Sequence, residues 1–89
     1  MSYRVFWAPY AEERMENVLQ DAAARVQVVT AARKINESLA FDPVGFGESR
    51  YDTVRIGFVR PLAVQFDVLE DVKTVIVDDV WRVDIKRSR

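Results

Sequence analysis

The chain has 89 residues, 49% of them hydrophobic, a formal net charge of −1 and a pI near 5.4. That describes one small domain with enough apolar side chains for a single core and no global basic field to hold a polyanion. Cysteine and histidine are both absent, which excludes disulfides, thiol nucleophiles, Cys/His zinc sites and histidine acid–base catalysis.

Tyr3–Trp7 alternates Tyr3, Val5 and Trp7 against Arg4 and Phe6, a β-rich pattern that predicts a first strand. Ala8-Pro9 ends it. Pro9 with Glu12 and Glu13 behind it signals a helix start, because proline suits the first helical position and the helix dipole favours early carboxylates. Ala11, Met15, Val18, Leu19 and Ala22 then fall on one stripe at helical spacing. Asp21 is a candidate N-cap between two helices, with one long helix kinked near Asp21 as the alternative. A second stripe follows at Val28, Ala32, Ile35 and Leu39, with Arg25, Arg33, Lys34 and Glu37 largely off it. Asp42-Pro43 and Gly45 end that helix, and Val44–Asp52 reads as a loop.

Three short apolar runs occupy the rest: Thr53–Val59, Leu62–Leu69 and Val72–Val83. Val54, Ile56 and Phe58 share a face of the first, and Leu62, Val64, Phe66 and Val68 a face of the second. Val75, Val77, Trp81 and Val83 do so in the third. Period two over consecutive runs predicts strands, turned at Arg60-Pro61 and at Glu70-Asp71. The order β-α-α-β-β-β predicts a two-layer α+β domain over residues 1–89, with a helical hairpin packed on a mainly antiparallel four-stranded sheet. The other sheet face would be partly solvated and carry Arg55, Gln65 and Asp67. No run approaches a membrane span and no long apolar leader opens the chain, so a cytoplasmic protein without membrane contact is expected.

This order and size resemble the RelE/ParE superfamily of toxins from type II toxin–antitoxin modules. The local sequence agrees: Ala11-Glu12-Glu13 opens a first helix in the family manner, and Ile35-Asn36-Glu37-Ser38-Leu39 before Asp42-Pro43 looks like the end of the second. Arg50 precedes the sheet, Pro61–Val68 resembles a family strand, and Val75–Arg82 resembles the closing one. The resemblance implies a toxin that inhibits growth by ribosome-dependent mRNA cleavage or by inhibition of DNA gyrase. It also implies a cognate antitoxin that wraps the toxin, docking at exposed strand edges and the helix groove. No cofactor or metal is implied, and a homodimer is left open.

RNA cleavage through a 2′-hydroxyl needs a base, an acid and positive charge on the phosphorane. By resemblance, Arg55 and Arg82 are the catalytic candidates, and Arg50, Arg60, Lys86 and Arg87 are candidate phosphate ligands. Arg82 stands where many members carry a histidine, and no tyrosine follows it. A catalytically inactive toxin-fold module for interaction or regulation is therefore the alternative. Plainer readings stand beside these roles. Arg50 and Glu48 suit a loop ion pair, Arg55 and Arg60 solvent-facing charge, and Trp81 core or a partner surface. Asp78 and Asp79 point to opposite faces of a strand, a poor acid–base dyad, and read as guards against edge pairing.

Overall fold

A computed structural model describes residues 2–83, beginning with the predicted strand as β1 (Arg4–Trp7). Helix α1 (Pro9–Leu19) starts where proline places it, with the Glu12 amide donating to the Ala8 carbonyl at 3.0 Å. The Asp21 carboxylate then accepts from the Ala23 amide at 3.1 Å and caps a 3₁₀ turn at Ala22–Ala24. That turn separates α1 from α2 (Arg25–Phe41), so two helices form rather than one kinked helix. Asp42 caps again, accepting from the Gly45 amide at 3.0 Å, and opens the short α3 (Pro43–Phe46).

Four strands follow: β2 (Glu48–Tyr51), β3 (Val54–Val59), β4 (Leu62–Leu69) and β5 (Thr74–Arg82). The segment expected to be a loop over Val44–Asp52 is thus a helical turn plus an edge strand, and the sheet has five strands, not four. Glu48-Ser49-Arg50-Tyr51 is exposed along its whole length and lacks apolar alternation. Backbone pairing to β3 orders it, and hydrophobic periodicity does not record such pairing.

The strands lie in the order β1-β5-β4-β3-β2, with β1 parallel to β5 and every other pair antiparallel. The helices cover one face. Val28, Ile35 and Leu39 of α2 and Ala11 of α1 are fully buried with Leu62, Val64, Phe66, Val75, Val77 and Val80. Trp7 is fastened to α2 by its indole N–H, which donates to Asn36 Oδ1 at 2.9 Å.

Two faces differ from the sequence reading. In β3, Arg55, Gly57 and Val59 stand opposite Phe66, Val64 and Leu62, on the helix side, and Val54, Ile56 and Phe58 stand opposite Asp67, Gln65 and Ala63, on the open side. The cause is aromatic. The Phe46 ring from α3 stacks on Phe66 at 6.0 Å, over Gly57, where any Cβ would collide with it. A strand has one parity, so Gly57 on the helix side carries Arg55 with it. In β5, the pairing with β4 shifts between Gln65 and Phe66, which leaves Asp78 as an extra residue. This bulge returns Val80 to the core and sends Trp81, opposite Ala63, to the open face. β1 pairs with β5 only as far as Val77, so Asp78 and Asp79 open the stretch of β5 that has no strand on that side.

The Gly57 packing is testable. Gly57→Ala should lower stability by about 1–3 kcal/mol, because the methyl must displace a stacked ring inside the core. Urea denaturation followed by circular dichroism measures it, and an unchanged midpoint would refute the account of β3's orientation.

Candidate functional site

The predicted site arginines are distributed over the molecule, and two of them, Arg55 and Arg82, serve as ties. Arg55 donates from Nη2 to the carbonyls of Val44 and Gly47, both at 3.0 Å. It therefore holds the end of α3 and the start of β2 against β3. Its Nε is buried without a hydrogen-bond partner. The expectation that Arg55 faces solvent on the open sheet is overturned by the Gly57 parity described above.

Arg82 stands opposite Leu62, again on the helix side, and donates from Nη1 to Asp21 Oδ2 at 2.8 Å. The Asp21 carboxyl is held below its ordinary value, first by this hydrogen bond and then by that from the Ala23 amide. Arg82 thus fastens the last strand to the junction of the two helices. Arg14 of α1 makes a parallel tie to Asp79 at 2.9 Å. Arg55 and Arg82 flank β4 on opposite sides, at positions four residues apart along it, roughly 13 Å. The fold does not bring them together around one phosphate.

Arg60 is exposed at the β3–β4 turn. With Lys34, Gln27, Thr30, Val59 and Pro61 it lines an open cleft of about 470 Å³ beside α2. Arg50 lies on the edge strand β2, 4.0 Å from Glu48, a loose surface pair as the plainer reading had it. Lys86 and Arg87 lie outside the described residues.

The open face has a different chemistry. Across it run Phe6 on β1, Ile76 and Trp81 on β5, Ala63 and Gln65 on β4, and Val54, Ile56 and Phe58 on β3. At its centre the bulge sets Asp78 beside Asp67, whose carboxylate accepts from the Thr53 hydroxyl at 2.6 Å. Desolvation pushes the Asp78 carboxyl up to about 7, helped by its hydrogen bond to Asp67 and by the negative charges of Asp67 and Asp79. Asp67 moves down, because Asp78 and Thr53 both donate to it. The pair shares one proton near neutral pH, as close carboxyls do. An acid of that strength suits proton transfer. Among the described residues, however, no cation pairs with it to hold a phosphate, and no group of three acids forms a metal site. Sequence reasoning missed this pair because its members are eleven residues apart and meet only through a bulge that no periodicity records.

The pair makes stability depend on pH. The folded chain keeps a proton on Asp78 up to about pH 7, and the unfolded chain releases it near the ordinary value of 3.8. Stability should therefore fall as pH rises from about 4 to about 7. Asp67, shifted downward, acts below that window. Asp78→Asn should remove the fall and raise the melting temperature at pH 8 relative to the parent. Melting curves at pH 5 and pH 8 check it, and a parallel loss in both proteins would exclude Asp78 as its source.

No family model matches the chain, and no curated protein matches it in sequence. Solved structures do match. The toxin–antitoxin complex RelBE2 from Mycobacterium tuberculosis superposes with a TM-score of 0.76 at 12% identity, covering 92% of this chain and 99% of that one. The isolated RelE toxin of E. coli gives 0.68 at 15% identity, covering 96% and 88%. The chromosomal ParDE system of P. aeruginosa gives 0.68 at 16% identity, covering 93% and 98%. Helices on one face of a mixed five-stranded sheet, matched over almost the full length of these neighbours, give the chain a RelE/ParE-like toxin fold.

Proposed function

We propose that this chain is the toxin of a type II toxin–antitoxin module, neutralised by an antitoxin encoded beside it. The observation that carries the reading is the near full-length structural match to RelE and ParE toxins, among them the RelBE2 toxin–antitoxin complex. No helix among the described residues is long and apolar enough to cross a membrane.

Of the two actions the resemblance implies, binding to a protein target of the gyrase type fits the geometry better than RNA cleavage. Arg55 and Arg82 face the helices and are committed to Val44, Gly47 and Asp21. The open face places carboxyls where a nuclease would need cations. A permanently charged guanidinium at position 82 also supplies no base. Gyrase-type inhibition is therefore the action proposed in place of endoribonuclease cleavage, RNA binding and translation inhibition, with plasmid stabilisation as the role it would serve.

Induction of the chain alone should arrest growth, and co-expression of the neighbouring open reading frame should relieve the arrest. In extracts, purified protein should inhibit gyrase supercoiling and leave ribosome toeprints unchanged. Cleavage in the decoding site that disappears in Arg82→Ala would replace the gyrase reading with the nuclease one. Normal growth at confirmed soluble expression would sink the toxin reading and favour the inactive interaction module.

A further inference from the structure

The open face of the sheet has no covering element among the described residues, yet it is built like an interior. Phe6 is 51% exposed, Phe58 55% and Tyr51 64%, on strands that span the whole sheet. Val54, Ile56, Ile76 and Trp81 lie half-buried between them, and Ala63, opposite both Phe58 and Trp81, is fully buried. From β1 to β2 this face is roughly 19 Å wide, four strand spacings. Large apolar side chains exposed across a face of that extent, with Gln65, Asp67 and Asp78 among them, mark an interaction site.

The charges on the face select its occupant. Asp67 and Asp78 stand at the centre, on β4 and β5, and among the described residues neither forms an ion pair. Arg4 shares the face of Phe6 on the outermost strand, opposite Thr74, and Arg50 lies on the other edge. The face is thus acidic in the middle, with Arg4 at one margin and Glu48, opposite Ile56, offsetting Arg50 at the other. A polynucleotide would set phosphates on the carboxyls. A second copy, paired face to face about a twofold axis through the centre, would set acid pair against acid pair. A purely apolar cover would strip water from the carboxyls and return nothing.

We propose that the open face is the docking surface for a segment of the neutralising partner that sets a lysine or arginine over Asp67 and Asp78. Apolar side chains on either side of that cation rest on Phe6, Ile56, Phe58 and Trp81. The segment is therefore basic and apolar at this point, and it meets carboxylates rather than arginines. This rests on the toxin reading above and adds to it the chemistry of the partner's contact.

Isothermal titration of the full chain with the polypeptide encoded by the neighbouring reading frame tests it, at low and at moderate salt. The double variant Asp67→Asn/Asp78→Asn should bind about tenfold or more weakly and lose most of the salt dependence. Both substitutions keep side-chain shape, and circular dichroism verifies the fold. Phe58→Ser, at an exposed position, should weaken binding without flattening the salt dependence. Parent-like affinity in both variants would overturn the docking surface and leave the toxin reading standing. No binding by the parent chain would remove the antitoxin reading and this inference with it. Self-association or single-stranded RNA binding that is abolished by Phe58→Ser would assign the face to a different occupant and overturn the proposal.

Discussion

The space above Gly57 governs the molecule. Phe46 fills it, stacks on Phe66, and in doing so decides which side of β3 meets the helices. Because side chains alternate along a strand, that one contact turns Arg55 inward as a clamp on the α3–β2 connection and turns Val54, Ile56 and Phe58 outward. Without it the apolar trio would be the obvious core face. Gly47 is coupled to the same cluster, since a side chain there would strike the Phe66 ring. The arginine clamp, the edge strand and the apolar open face all descend from a glycine facing an aromatic.

The second organising device is the bulge in β5. One extra residue changes the parity of the strand halfway along, so Val75, Val77 and Val80 all reach the core although their spacing breaks period two. Asp78 lands beside Asp67 on the open side, and Asp79 turns to Arg14 on α1. Arg82 is carried to the helix side, where Asp21 receives it. Two ion pairs therefore join the final strand to the helical hairpin at separate points. Arg14, Arg55 and Arg82 thus act on the chain's own architecture.

Much of the fold was legible in sequence, for reasons visible in particular residues. Pro9, Asp21 and Asp42-Pro43 marked helix boundaries because each alters the backbone hydrogen-bond pattern locally. Leu62, Val64, Phe66 and Val68 announced their face because β4 is central and packs against the helices along its length. The rest depended on non-local facts. Nothing in Glu48–Tyr51 reveals a strand until β3 pairs with it. The faces of β3 and the end of β5 were misread because a glycine–phenylalanine fit and a bulge outweigh simple alternation. The candidate site fared worse for the same reason. Which arginines can meet a ligand depends on strand parity, and parity here is set by contacts far away in sequence.

The parallel pairing of β1 with β5 also constrains how the chain is made. Arg4 meets Thr74 and Trp7 meets Val77, so the first strand and the last are laid side by side. In the finished sheet β1 reaches β4 only through β5, and α1 is tied to the rest through Asp79. Contacts of such long sequence separation form late, after the cost of closing the intervening chain has been met. A nascent chain that has not yet released residue 82 can pair β2, β3 and β4 but has no strand on which to seat its own beginning. Among the described residues β5 is therefore the strand through which β1 joins the sheet, and a chain without β5 would leave β1 with no strand partner, held to α2 through Tyr3 and Trp7.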